Sequence, residues 1–246
     1  MNDLHRRLGS AVGRFWQVRT AQFERQGSAA GEKDRGSRGA VTGGAQLDGI
    51  VELVHDLLVE QGLPEHTIYR HRSAQSATTL PGFFRPAKDW DLLVVAKKRL
   101  LVSIELKSQI GPSFGNNFNN RAEEAVGSAN DLWTAYRDGA FEDSPRPWLG
   151  YFMLLEDAEG SRKPVSVREP HFDVFQEFRG CCYAERYEIL CKKLLRERLY
   201  DGTCLILTDR NSGPAGQFRE PCEEISFTRF MASLSGKAAE YLQLGN

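Results

Sequence analysis

Residues 91–107 read DLLVVAKKRLLVSIELK. Two short runs rich in Val, Leu and Ile, at 91–96 and 100–107, are separated by the polar residues 97–99. Runs of this length and composition predict β-strands, and so short a connection predicts a hairpin. The first run is apolar at nearly every position, which is typical of a strand buried on both faces.

The second strand of this hairpin carries an acid and an amine on one face. Side chains alternate between the two faces along a strand, so Glu105 and Lys107 project together while Ile104 and Leu106 project to the other side. The hairpin brings Asp91, at the start of the first strand, alongside Glu105. Two carboxylates and an ammonium group are therefore expected to converge at one end of a sheet.

These groups suit the hydrolysis of a phosphodiester bond. Carboxylate oxygens bind Mg²⁺, which lowers the pKa of a bound water and stabilises charge on a phosphate. The expected metal ligands are Asp91, Glu105 and the backbone carbonyl of Leu106, and Lys107 would orient or deprotonate the attacking water or neutralise developing charge. Glu52, on a preceding predicted helix, could be a further acid, and a solvated helix face explains it equally well. A cross-strand ion pair would produce the same spacing, so the motif alone does not decide.

A segment rich in amide side chains follows this strand directly, reading SQIGPSFGNNFNNR over 108–121. Asn and Gln side chains hydrogen-bond both base edges and phosphates in DNA complexes. The candidate DNA-contacting residues are Gln109, Asn116, Asn117, Asn119, Asn120 and Arg121. The alternative interpretation is a turn in which Asn119 or Asn120 forms the N-cap of the next helix, and both interpretations can hold together.

The remaining pattern predicts helices alternating with strands. Apolar residues recur at the helical period over 46–60, 122–136, 183–200 and 226–244, and strand-like runs cover 147–155 and 203–208. This order predicts an α/β fold with a mixed central sheet flanked by helices. We expect a single domain over 1–246, made of a basic, Gly-rich N-terminal arm or loop (1–45), a catalytic core (46–155) and a C-terminal elaboration (156–246).

The composition is that of a soluble, enzyme-sized protein: 246 residues, 26% charged and 41% hydrophobic. There is neither an apolar run of about 20 residues nor a secretory signal, so we expect a cytoplasmic protein without a membrane span. Five cysteines without a C-x-x-C pair predict reduced thiols, and the five histidines lack metal-ligand spacing.

The net charge of −1 hides a basic N-terminus, since residues 1–42 carry eight Arg or Lys against four acids. This excess could contact DNA phosphates or could simply be a solvated surface. The glycine-rich stretch 27–44 predicts a mobile loop that orders on contact with phosphates.

Four longer strings carry a resemblance to a known family. They are GGAQLDG (43–49), TLPGFFRPAKDWDLLVV (79–95), ELKSQIGPSFGNNFNNR (105–121) and DLWTAYRDGAF (131–141). Together they resemble the XhoI family of type II restriction endonucleases, which belongs to the PD-(D/E)xK superfamily. Asp91, Glu105 and Lys107 match the superfamily's catalytic positions, while Trp90 stands where its motif has proline.

The resemblance implies a restriction-endonuclease-like core and a homodimer that cleaves double-stranded DNA with Mg²⁺ at the palindrome CTCGAG, leaving 5′ overhangs. It also implies a cognate DNA methyltransferase as a functional partner. A two-fold target gives a physical reason for a two-fold protein. Two alternatives stay open: a structure-specific repair or recombination nuclease, and a catalytically inactive DNA-binding module. The complete set of Asp91, Glu105 and Lys107 argues against the second, and the long family-like strings argue against an unrelated enzyme.

Overall fold

A five-stranded mixed sheet organises the chain in the computed structural model, which describes residues 3–28, 44–70 and 77–244. The strand order is β1-β4-β5-β6-β7, with antiparallel pairing up to β5 and parallel pairing from β5 onward. A separate two-stranded sheet pairs β2 with β3. The strands are β1 (Ile68–Arg70), β2 (Thr79–Pro81), β3 (Ala87–Asp89), β4 (Leu92–Ala96), β5 (Arg99–Gln109), β6 (Trp148–Glu156) and β7 (Gly202–Thr208).

Helices cover both faces of the sheet, which confirms the predicted α/β class. They are α1 (Asp3–Ser28), α2 (Asp48–Glu60), α3 (Phe114–Arg137), α4 (Glu159–Arg162), α5 (Tyr183–Arg196) and α6 (Phe227–Leu244). The apolar sides of α1, α2 and α6 pack on one face, together with residues such as Leu92, Ile104 and Leu106. Those of α3 and α5 pack on the other face, around Leu93 and Tyr151. The predicted boundary between core and C-terminal elaboration, after residue 155, falls within β6. Strand β7 then pairs in parallel with β6 up to Glu156↔Thr208, so the sheet extends across that boundary.

The predicted hairpin is confirmed, and β4 and β5 pair antiparallel from Leu92↔Ile104 to Ala96↔Arg99. The two-residue turn consists of Lys97 and Lys98, whose φ angles are 51° and 63°. A two-residue turn with both φ angles positive is type I′, whose twist matches that of the strands and favours Asn-Gly. Lysine is a costly choice at both positions because its Cβ crowds the backbone there.

Replacing Lys98 by glycine should therefore stabilise the protein. Relief of the left-handed strain, less the greater entropy of an unfolded glycine, amounts to roughly 0.5–1 kcal/mol. Urea unfolding should show a higher midpoint with an unchanged slope. Lys163→Gly is the control, because the φ of Lys163 is −74° and no strain is relieved there. A midpoint lowered by Lys98→Gly would contradict this interpretation of the turn.

The N-terminus differs from the predicted arm. Residues 3–28 form α1, and Leu8, Val12, Phe15 and Trp16 on it are buried in the core. Helix α1 packs closely against the backbone at Gly216, since a Cβ on Gly9 would lie 2.9 Å from the Gly216 carbonyl oxygen. The buried apolar residues of α1 recur at the helical spacing, whereas the prediction of an arm rested on the basic charge of this segment. Of the predicted 27–44 loop, residues 29–43 lie outside the described residues, and the chain resumes in a 3₁₀ turn at Gly44–Leu47.

Helix α3 also begins earlier than predicted, at Phe114, with Ser113 at the N-cap position. The prediction that Asn119 or Asn120 caps this helix is therefore wrong. Phe114 and Phe118 are one helical turn apart, and both rings lie against Tyr183 of α5. These contacts extend the packed side of the helix into a stretch whose sequence is mostly Asn and Gly. The other predicted helices and strands lie within a few residues of their predicted bounds, except that α5 ends at Arg196.

The five cysteines are all unpaired thiols, as predicted. Within the ranges that the structure describes, no helix is long and apolar enough to cross a membrane.

Candidate active site at the end of strand β5

A cleft of about 730 Å³ lies at the carboxyl end of β5. Its walls carry more positive than negative side chains, five against three. The cations are Arg19, Arg85, Lys88, Lys107 and Arg121, and the acids are Asp91, Glu105 and Glu124. The Nε atoms of Arg19 and Arg121 are buried without a hydrogen-bond partner. Such a cleft suits an anionic ligand with oxygen acceptors.

The structure brings Asp91, Glu105 and Lys107 together as the spacing predicted. The Nζ of Lys107 lies 2.7 Å from Glu105 Oε1, on the face that these two side chains share. Asp91 joins them from the start of β4: its backbone N–H donates to the carbonyl of Ile104 at 3.1 Å, and its Oδ2 accepts from the N–H of Leu106 at 2.7 Å. Burial raises the pKa of Asp91, an effect that the Leu106 hydrogen bond and the charge of Lys107 only partly offset.

Glu105 is the most enclosed member of the group, with a side chain only 2% exposed. Its Oε1 accepts from both Lys107 and Lys88, while its Oε2 is buried with no hydrogen-bond partner. Burial would raise the pKa of Glu105, but the charges of Lys107 and Lys88 outweigh it and hold that pKa below its usual value. Burial would lower the pKa of Lys107, and Glu105 reverses this, so that the pKa of Lys107 is raised. The group is a desolvated carboxylate held by two ammonium groups.

Lys88 is a site residue that the sequence analysis missed. It lies on β3, its Nζ is 2.9 Å from Glu105 Oε1, and the same nitrogen is 4.7 Å from the centre of the Trp90 ring. The two-stranded sheet of β2 and β3 thus delivers a second lysine to the carboxylate. A lone lysine in a short polar strand carries no periodic signal, so only the family-like string around it could have drawn attention to it.

The backbone of Leu106 lines the cleft while its side chain is buried in the core. Its N–H points to Asp91, and in a strand the N–H and carbonyl of one residue point to the same edge. Strand β4 begins at Leu92, opposite Ile104, so it does not pair with Leu106. The carbonyl of Leu106 therefore faces the Asp91 side, where a metal ligand was expected.

Glu52 does not lie at the cleft, contrary to the expectation that it could be a further acid. It is 42% exposed and pairs with Arg14 of α1. The acid that does reach the site is Glu124 of α3, whose Oε2 is 4.0 Å from Lys107 Nζ and which also pairs with Arg121. Glu124 lies within the helix predicted over 122–136, but the helical period alone does not show which of its polar positions faces the end of β5.

The amide-rich segment is divided by the structure. Asn117 and Arg121 line the cleft, whereas Asn116, Asn119 and Asn120 are exposed on the first turns of α3 outside its lining. All of them lie on the first turns of α3, the helix from which Asn117 and Arg121 reach the cleft. Their contact with DNA remains a proposal.

Gln109 is the exception, because its side-chain amide is already occupied. It is buried, donates to the carbonyl of Phe114 at 2.9 Å and accepts from the hydroxyl of Tyr187. Nearby, buried Glu156 accepts from the N–H of Gly111 at 2.8 Å. These contacts fix the loop between β5 and α3, so Gln109, which also lines the cleft, has both its amide nitrogen and its amide oxygen engaged within the protein.

The donor set fits a hard divalent cation. Glu105 Oε2 is an orphaned buried carboxylate oxygen, and Asp91 and the carbonyl of Leu106 supply further oxygens beside it. Among the described residues no cluster of three or more His, Cys, Asp or Glu side chains could hold a metal by itself. Two carboxylates completed by a carbonyl, water and substrate phosphate are the usual setting of Mg²⁺, and not of zinc.

Comparison with known proteins agrees with this chemistry. A family model described as restriction endonuclease XhoI matches residues 26–220. The type II restriction enzyme BstVI of Geobacillus stearothermophilus is 48% identical over 210 residues, which cover 83% of this chain and 92% of that protein. XhoI of Xanthomonas vasicola is 43% identical (77% and 73% covered), and AbrI of Azospirillum brasilense is 46% identical (69% and 74% covered); both are type II restriction enzymes. No solved structure matches significantly.

Proposed function

Because the chain belongs to the XhoI restriction endonuclease family, we propose that it cleaves double-stranded DNA at the palindrome CTCGAG by Mg²⁺-dependent hydrolysis, leaving 5′ overhangs. The observation that carries the chemistry is the carboxylate pair Asp91 and Glu105 beside two lysines in a cationic cleft. The resemblance to XhoI and its isoschizomers carries the target sequence.

Each residue of the site has a distinct task in this reaction. Asp91, Glu105 and the carbonyl of Leu106 would hold Mg²⁺, which supplies an activated water and stabilises the charge on the phosphate. Lys107, bonded to Glu105, orients the attacking water and donates to the phosphoryl oxygens. Lys88 shares the same carboxylate oxygen and would supply a second positive charge beside the phosphate.

The outer part of the cleft binds the DNA backbone. Arg19 and Arg121 approach it from α1 and α3 with buried, unpartnered Nε atoms, which phosphate oxygens would satisfy. Asn117 lines the same wall, and Asn116, Asn119 and Asn120 stand on the adjoining helix end. We assign these amides to contacts with bases or phosphates in the flanking groove.

The assembly and setting follow from a palindromic target. One active site is needed for each strand, so the enzyme acts as a homodimer with two-fold symmetry. A cognate methyltransferase that modifies the same site is its functional partner, and the cytoplasm, where the host DNA lies, is its place of action.

Plasmid digestion tests this function. One plasmid carries a single CTCGAG, and its matched control carries CTCGAC at that position. With Mg²⁺ the first should become linear, with 5′-TCGA ends on sequencing, while the control stays circular. A smear from both plasmids would favour a nuclease indifferent to sequence, and an intact plasmid shifted in a gel would favour a binding module without catalysis.

A further inference from the structure

Two adjacent phenylalanines stand out on the surface between β2 and β3. The side chains of Phe83 and Phe84 are 56% and 72% exposed, and their rings meet edge to face with centroids 5.3 Å apart. Exposing large apolar rings side by side to water is unfavourable, which makes this surface a candidate binding site.

A buried carboxylate of α3 holds these rings outward. Asp131, whose side chain is 5% exposed, accepts hydrogen bonds from the backbone N–H groups of Phe83 and Phe84 at 2.7 Å each. Its other oxygen accepts from Arg85 Nε at 2.8 Å. At Gly82 a Cβ would lie 2.3 Å from that oxygen, so the turn approaches α3 as closely as glycine allows. These contacts fix the backbone of the loop in the conformation that exposes both rings to solvent.

The same loop forms one lip of the cleft. Arg85 lines the cleft and donates to Ser128 Oγ at 3.0 Å. Lys88, five residues beyond Phe83, reaches the carboxylate of Glu105. The aromatic pair is thus continuous in the chain with two cations of the proposed DNA site. A ligand that satisfies both must offer phosphates beside flat apolar surfaces.

From this arrangement we propose that Phe83 and Phe84 contact duplex DNA by stacking on bases next to the cleavage site, while Arg85 holds the adjacent phosphate. The inference rests on the proposed function. Aromatic faces stack on bases, and apolar side chains enter and unstack base steps in many DNA complexes. Phe172 and Phe175, which are 89% and 77% exposed, belong to a segment that contributes nothing to the lining of the cleft.

The test uses duplexes containing CTCGAG in which 2-aminopurine replaces one adenine at a time, inside and beside the site. Ca²⁺ replaces Mg²⁺, and a gel verifies that the DNA stays intact. The wild-type protein should raise the fluorescence severalfold at one or two steps, because an unstacked 2-aminopurine is bright. Phe83→Ala and Phe84→Ala should weaken binding about 5- to 100-fold and remove that signal, since each stacked base is worth a loss of this size.

Two controls make the result specific. Phe84→Trp keeps a stacking face and should retain the affinity, and Phe172→Ala removes an even more exposed ring elsewhere and should change neither binding nor fluorescence. Because the rings are exposed, the alanine variants should melt at the wild-type temperature.

Unchanged affinity and fluorescence in both alanine variants would overturn the inference. So would a change from dimer to monomer in sedimentation, which would assign the rings to a second copy of the chain. If the wild-type protein cuts no DNA, the proposed function fails as well. If it cuts CTCGAG and the Phe variants match it in every readout, only the stacking inference fails.

Discussion

Glu105→Gln is expected to lower the rate of DNA cleavage roughly a thousandfold or more, the order found when a group that stabilises transition-state charge is removed. Glutamine has nearly the same shape but lacks the charge that pairs with two lysines and that would bind the divalent cation. The buried, unpartnered Oε2 of Glu105 would become an amide group, which does not bind Mg²⁺ well. Single-turnover cleavage of a CTCGAG duplex measures the loss.

The matched control is Glu52→Gln, the same substitution at an acid that pairs with Arg14 outside the cleft. It should leave the rate within about twofold, because a partly exposed ion pair contributes little. Since Glu105 is buried with two lysines, circular dichroism should establish that its variant is folded. Asp91→Asn provides a second variant, and it should lose cleavage to a similar extent. Near wild-type rates in both folded variants would contradict the assignment.

Lys107→Met should be the second largest loss, roughly a thousandfold in the cleavage step, as expected when a positioned proton donor or acceptor is removed. Methionine retains the length of the side chain and its packing but has no ammonium group. Lys88→Met should lose less, roughly a hundredfold, since Lys88 provides a second charge to the same carboxylate oxygen. DNA binding should fall far less than cleavage in both.

Lys163→Met, at an exposed lysine paired with Glu159, is the control and should cleave normally. If Lys88→Met is as active as this control, Lys88 only neutralises Glu105 in the metal-free protein. If Lys107→Met is fully active, the role assigned to Lys107 is wrong.

The hairpin could be predicted because its signals are local. Alternation placed Glu105 and Lys107 on one face. The hairpin brings Asp91 to Leu106, although the register of its strands shifts by one residue between Val94 and Val95. A tight hairpin keeps its two strands adjacent, so counting from the turn places Asp91 to within the one residue of this shift. The three central site residues were accessible from the sequence for this reason.

Lys88, Glu124 and α1 depend on long-range packing and were missed or misread. Lys88 reaches Glu105 only because β2 and β3 fold back over the end of β5, a contact that no local pattern encodes. Glu124 enters the site because the packing of α3, including Phe114 on Tyr183, places its carboxylate 4.0 Å from Lys107 Nζ at the end of β5. For α1, the excess of basic residues led to the prediction of an arm, although the same segment carries apolar residues at helical spacing that include Phe15 and Trp16. Glu52 is the opposite case, because its helix was predicted correctly but Glu52 lies on the side that faces Arg14 and not the cleft.

The central claim is that Asp91 and Glu105 hold the divalent cation with which this enzyme cuts DNA. Its most direct test is a Mn²⁺ titration followed by electron paramagnetic resonance, in the presence of a CTCGAG duplex, for the wild-type, Glu105→Gln and Glu52→Gln proteins. The account predicts that free Mn²⁺ signal is lost on binding to the wild-type and Glu52→Gln proteins and persists with Glu105→Gln. Equal Mn²⁺ binding by all three would contradict it.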